Sequence, residues 1–283
     1  MALYRLEQPA GLVEPLMVVA FDSWVDAGSA ATAAARRLAE GGDVVATFDT
    51  DELYDYRSRR PTLDIIDGRP ASLIWPELQV RRRRFDGRDL LVLTGPEPDY
   101  HWQALARDTV RLASELGVVA WISLGSIPAA VPHTRPVNIL GTESRPGLLL
   151  GDVAPGPAGI LRVPSAAVSV LDLAISAADI PAVGYYAQIP HYVTGPYPAA
   201  TLELVSLVGR HLGTAIPMLA LRDEADLMRE RLDAATTADE STREYVERLE
   251  EMVDEARRPS GDDLISEIEQ FLREQGPGGG PGS

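Results

Sequence analysis

Four short apolar runs are spread along this chain, Leu16–Phe21, Asp89–Thr94, Val118–Leu124 and Pro181–Ala187. Each gives way to a polar loop and then to irregular or helical sequence. Runs of this length, rich in leucine and β-branched residues and lacking polar alternation, mark strands buried on both faces. A fifth run, Val44–Phe48, follows the first after an alanine-rich stretch from Ser29 to Glu40 that contains no Gly or Pro and stops at Gly41-Gly42. Asp26 or Ser29 can cap that helix. Strand, helix, strand at this spacing is a βαβ unit. Its repetition predicts an α/β fold, a three-layer α/β/α sandwich around a mostly parallel sheet.

The alternation lasts to about residue 220, and the composition then changes. From Arg222 to Ser283 there are eighteen acidic residues against eight arginines, so most of the net charge of −16 sits there. Tyr245, Leu249, Met252 and Val253 recur at helical spacing, as do Leu264, Ile265, Ile268, Phe271 and Leu272, and such stripes must pack on something. The expected layout is a core domain over 1–220, a charged helical segment over 221–275 and a flexible tail over 276–283. The acidic balance argues against nucleic-acid binding, which relies on cationic groups releasing counterions. No apolar run approaches the ~20 residues of a membrane span. The first fifteen residues lack a signal-peptide pattern. A cytoplasmic protein without membrane attachment is the expectation.

The chain has no cysteine and no lysine; all 26 basic residues are arginine. Thiol nucleophiles, thiolate metal sites, a Schiff-base lysine and a phosphate-loop lysine are therefore ruled out. No compact ligand spacing points to a metal, and no cofactor is implied. The run Arg81-Arg82-Arg83-Arg84 reads as a solvated edge strand whose charges block pairing with another sheet, with a subunit contact or a nucleic-acid contact as alternatives.

In an open α/β sheet, ligands bind at the carboxyl ends of the strands. Asp22 and Asp26 follow the first strand, and Glu97 follows the strand ending at Thr94. Gly125, Ser126, His133 and Arg135 follow the strand ending at Leu124, and His191 follows the last. If these strands are parallel, the eight residues gather on one rim. Three readings stay open. The groups can tie loops and cap helices. They can form an anion or small-molecule cleft, with backbone N–H groups at Gly125-Ser126 and the Arg135 fork. Or they can form a hydrolytic site with His133 or His191 as base and an aspartate orienting it. His101, at a helix start, and His211, within a helix, read as packing or surface residues. No catalytic residue can be assigned.

The loop sequences themselves carry a likeness. Phe21-Asp22-Ser23-Trp24-Val25-Asp26-Ala27-Gly28, Gly95-Pro96-Glu97-Pro98-Asp99-Tyr100-His101-Trp102, Leu124-Gly125-Ser126-Ile127-Pro128-Ala129, Val131-Pro132-His133-Thr134-Arg135-Pro136, Gly141-Thr142, Ile180-Pro181-Ala182-Val183 and Pro190-His191-Tyr192-Val193 occur in this order over nearly the whole chain. Together they resemble the proteasome assembly chaperone family of the second-subunit type, and in particular its stand-alone actinobacterial members. Pro259-Ser260-Gly261-Asp262 with Glu267-Ile268-Glu269-Gln270-Phe271-Leu272 is similar to their C-terminal helix. The resemblance implies an α/β/α fold like that of nucleoside phosphorylases and hydrolases. It also implies self-association into a homo-oligomer, a trimer among the candidate assemblies. Eukaryotic relatives hold proteasome α-subunits as a heterodimer. Proteasome-binding relatives use a hydrophobic–basic–tyrosine tail, where this sequence has Gly-Pro-Gly-Gly-Gly-Pro-Gly-Ser. The expected function is an assembly-chaperone-like or other protein-interaction role without catalysis, its partners proteasome-related or other cytoplasmic proteins. The alternative is a small-molecule-binding protein or a hydrolase- or phosphorylase-like enzyme working at the rim.

Overall fold

Each apolar run forms a strand: β2 (Leu16–Asp22), β7 (Arg88–Pro96), β8 (Ala120–Ala129) and β10 (Ala182–Pro190). The computed structural model describes residues 2–7, 11–151, 153, 155–156 and 159–256. The other strands are β1 (Tyr4–Leu6), β3 (Asp43–Phe48), β4 (Thr62–Ile66), β5 (Arg69–Ile74), β6 (Gln79–Phe85) and β9 (Ile139–Glu143). The helices are α1 (Ala30–Ala39), the single turn α2 (Thr50–Leu53), α3 (Trp102–Glu115), α4 (Ala167–Ala177), α5 (Pro198–Leu212), α6 (Leu219–Ala238) and α7 (Glu240–Ala256). The amphipathic run at 264–272, the motif from Pro259 and the tail from Gly276 lie outside the described residues.

Eight strands form one sheet in the order β1-β3-β6-β7-β2-β8-β10-β9, and β4 and β5 form a separate ribbon. The central four, β7-β2-β8-β10, are parallel neighbours. Antiparallel strands flank them, β6 beside β7 and β9 beside β10. Period-two alternation sends Leu16, Val18, Ala20, Leu90, Val92, Ile122 and Leu124 to one face, where α1 and α5 bury them. It sends Met17, Val19, Phe21, Leu91, Leu93 and Trp121 to the other, under α3 and α4. That is the three-layer sandwich. Both faces are covered, which is why these strands carry no polar alternation.

The arginine run lies on β6, which is not an edge strand: it pairs with β3 on one side and β7 on the other. The guanidinium groups leave the sheet by local bonds. Arg81 donates to Gly42 O and to Gln79 Oε1, and Arg83 to Glu40 O. Arg82 donates from Nε to Asp89 Oδ1 at 2.7 Å. Long arginine stems let an interior strand carry four charges by reaching acceptors beyond it.

The chain divides into two compact units, Met1–Asp233 and Ala234–Ser283. The first holds both sheets and α1–α5. In the second, the end of α6 is followed by α7, whose turn opens with Asp239 accepting from the Ser241 and Thr242 hydroxyls and the Thr242 N–H. Among the described residues no helix is long and apolar enough to cross a membrane.

Candidate functional site

Because β7, β2, β8 and β10 share one direction, their carboxyl ends fall on one edge, and the loops beyond them meet there. Glu97 N–H donates to Asp22 O at 3.1 Å, which joins the β7 and β2 loops. A bridge pairs Asp26 with Ser126, and Ser126 N–H donates to Val25 O at 2.7 Å, which joins the β2 and β8 loops. His191 N–H donates to Ala129 O at 3.1 Å, which joins the β10 and β8 loops.

Several polar side chains of this edge are engaged with the protein itself. Asp26, not Ser29, caps α1: Oδ1 accepts from the N–H groups of Ala31 (2.9 Å) and Thr32 (3.1 Å), and Oδ2 from the Thr32 hydroxyl (2.5 Å). Burial pushes the Asp26 carboxyl above the usual range, and the bonds from Thr32 and Ala31 oppose that. Glu97 performs the same service for α4, accepting from Ala167 N–H at 2.6 Å, and burial again raises its carboxyl. Ser126 is buried and donates to Ala27 O at 2.7 Å. Gly125 lies under the Tyr186 ring; a Cβ there would stand 2.5 Å from Tyr186 Cδ1, so only glycine allows the approach. Asp22 is exposed, and Arg135 is half-buried. We expect Asp26→Ala to cost about 1 kcal/mol through loss of the cap, read as a lower urea midpoint at unchanged m-value. A role confined to ligand contact would leave the midpoint where it is.

His133 is buried between two partners that lie far from it in sequence. Its backbone N–H donates to the Tyr192 hydroxyl oxygen at 2.8 Å, and its Nδ1 lies 2.7 Å from the same oxygen. Nε2 lies 3.1 Å from Asp233 Oδ1 on α6. The result is a Tyr–His–Asp tie between the β8 loop, the β10 loop and α6. His191 Nδ1 lies 3.0 Å from Ala129 O. His211 packs on Tyr185, with Nε2 2.7 Å from its hydroxyl, and burial, then the charge of Arg88, brings its pKa down to about 4, so the ring is neutral. Backbone bonds thus join the loops that carry Asp22, Asp26, Glu97, Ser126 and His191 along the edge where the parallel strands end. Tyr192 and Asp233, which complete the tie, carry no local signal in the sequence.

A second polar group, away from this edge, was not legible in the loop pattern. Asp172, on α4, accepts from Trp121 Nε1–H at 2.7 Å and from the Ser123 hydroxyl at 2.9 Å. Burial pushes its carboxyl up to about 7, against those two bonds. The one available hint is a lone acid next to the buried stripe Val168, Leu171 and Ile175 of a helix otherwise built from small and apolar residues.

The profile of the PAC2 family matches residues 20–236. Among solved structures, a protein of unknown function from Corynebacterium glutamicum ATCC 13032 is 32% identical with a TM-score of 0.83, the alignment covering 90% of this chain and 99% of that one. A PAC2 family protein from Streptomyces avermitilis is 34% identical with a TM-score of 0.73, over 82% of this chain and 99% of that one. A proteasome-assembly chaperone homologue from Mycobacterium tuberculosis is 29% identical with a TM-score of 0.75, over the same shares, 82% and 99%. A search of curated proteins finds no match to this chain.

Proposed function

The chain belongs to the PAC2 family, and on that premise we propose that it is a cytoplasmic, assembly-chaperone-like interaction protein that works as a homo-oligomer, through contact rather than catalysis. The observation that carries this reading is the β4–β5 ribbon. Every residue of both strands is exposed. Leu63, Ile65, Ile66, Leu73, Ile74 and the adjoining Trp75 are each 47–63% exposed. A lone two-stranded ribbon is marginal in water. Here the Asp67-Gly68 turn, with positive φ at both residues, sets its register, yet no third strand or helix covers its apolar side chains among the described residues. An arm of this kind is stabilised when a second protein surface closes over it.

The family's expected self-association makes a second copy the first occupant. The likeness to a proteasome-assembly chaperone homologue from Mycobacterium tuberculosis supports a proteasome-related partner as the client of the assembled protein. The rim fits the same reading, since Asp26, Glu97, Ser126 and His133 serve as caps and ties.

The test is the mass in solution by light scattering, for the native chain and for Ile65→Asp/Leu73→Asp. We expect the native protein to run as an oligomer. The double variant should run as a monomer with an unchanged far-ultraviolet spectrum, because two carboxylates cannot be buried unpaired in an apolar contact. A monomeric native protein, or a variant of undiminished mass, would overturn the reading.

A further inference from the structure

We propose that the cleft between α4 and the β8–β10–β9 side of the sheet binds a small organic molecule bearing a primary ammonium group, with the ammonium on Asp172. The cleft holds about 370 Å³, within the range of small-molecule sites. Its walls are Thr142, Ser169, Ser176 and Tyr186, with Leu173, Ala182 and Val183 supplying apolar surface. Gly184 clears the middle: a Cβ there would stand 2.5 Å from Thr142 Oγ1 and 3.0 Å from Ser123 Oγ. The hydroxyls therefore converge on space that a side chain would have filled.

The charge chemistry selects the ligand class. No basic residue lines the cleft, so an anion finds no counter-charge. Glu143 also borders it, with Oε2 accepting from the N–H groups of Leu148 and Leu149 at 2.8 and 3.1 Å, which ties that oxygen to the loop. Two carboxylates are too few for a hard metal ion, which collects several oxygen ligands. Each Asp172 oxygen accepts one bond from the protein, from Trp121 or from Ser123, and keeps lone-pair capacity for another. Ser123 has a single proton, which it donates to Asp172 at 2.9 Å rather than to Val183 O at 3.4 Å. Trp121 and Ser123 thus hold the carboxylate in place from behind. A primary ammonium brings three donors to a carboxylate ringed by hydroxyl acceptors, and its carbon chain lies against Leu173 and Ala182. Burial, which holds this carboxyl up to about 7, is offset once a cation arrives.

The experiment titrates the native protein with n-butylammonium chloride by calorimetry, with 1-butanol as the uncharged control, and repeats both on Asp172→Asn. We expect saturable millimolar binding of the amine, as its few atoms allow, no binding of the alcohol, and amine affinity about tenfold or more weaker in the variant. Native affinity should also fall as pH drops below about 7 while the amine stays protonated, a reading that needs no variant. Absence of saturable amine binding to the native protein overturns the proposal. So does equal binding of the alcohol, an undiminished affinity in folded Asp172→Asn, or an affinity that does not change with pH. None of these results bears on the β4–β5 ribbon, whose test is mass.

Discussion

Arg82→Met is expected to lower the stability of this protein by about 3–5 kcal/mol. Asp89 is wholly shielded from solvent, while the Arg82 side chain keeps 20% of its surface exposed. Asp89 Oδ1 accepts from Arg82 Nε and Oδ2 from Val13 N–H, both at 2.7 Å. Methionine preserves the stem's packing and removes the charge, leaving a shielded carboxylate with one backbone donor. Arg84→Ala on the same strand is the control. Arg84 is exposed and hydrogen-bonds Gly87 O at 3.2–3.3 Å, and its charge acts on Asp89 from solvent, so a change of about 0.5 kcal/mol or less is expected. The pH dependence separates electrostatics from packing. Burial would raise the Asp89 carboxyl, but the bonds from Arg82 and Val13 and the charges of Arg82 and Arg84 hold it below the usual range. A depressed folded pKa means that the pair's stabilisation is present above the unfolded value of about 3.9 and is lost as pH falls through the folded one. In Arg82→Met burial is opposed only by the Val13 bond and the Arg84 charge, so the carboxyl rises and takes up a proton in milder acid. Urea titrations should therefore show the gap between native and variant narrowing from neutral pH toward about pH 4. A gap constant across that range would assign the loss to packing alone.

That pair also shows where a sequence stops being readable. β2, β7, β8 and β10 were plain because burial on both faces removes every polar residue from the middle of a strand, and their shared direction followed from the helical segments between them. β6 was misplaced at an edge because four consecutive charges contradict an interior strand. Only coordinates reveal that Gly42 O, Glu40 O and Asp89 stand where the guanidinium groups can reach them. Topology names the rim residues, but their chemistry was not readable. An aspartate or glutamate after a strand looks the same whether it awaits a ligand or accepts the first N–H groups of a helix, as Asp26 and Glu97 do. The His133 tie depends on Tyr192 and Asp233, 59 and 100 residues away, and no local pattern announces a contact of that range. Asp172 was missed for the opposite reason: its neighbours Val168, Leu171 and Ile175 so strongly indicate a core helix that the lone acid beside them reads as a solvated position.

Asp172→Asn should stabilise the unliganded protein at neutral pH by about 2–3 kcal/mol, an uncommon sign for a substitution in a hydrogen-bonded interior position. The asparagine oxygen still accepts from Trp121 Nε1–H, and Ser123 can turn its proton to Val183 O, 3.4 Å away, while accepting from the new amide. The bonding is conserved and the buried charge is gone. The carboxyl is held at about 7 in the fold, chiefly by burial, against about 3.9 in the unfolded chain. A raised folded pKa means that the folded state keeps its proton at pH values where the unfolded chain has released it. The native protein's advantage from this group is therefore full below about pH 4, declines as pH rises to about 7, and is gone above it. The asparagine variant has no such slope. The two stabilities should coincide near about pH 4, diverge through the window up to about 7 and stay a constant distance apart beyond it. The titratable groups nearby do not shift that window. Tyr186 is raised by burial and by Asp172 itself and stays neutral across it, and Glu143 is bonded to Leu148 and Leu149. Saturating n-butylammonium should close the gap at neutral pH, because a cation on the carboxylate stabilises the native fold and leaves the variant unchanged. A variant less stable than the native protein at every pH would mean that the carboxylate is structural, held charged by its two donors. The cleft would then lose the unpaired acid on which its chemistry depends.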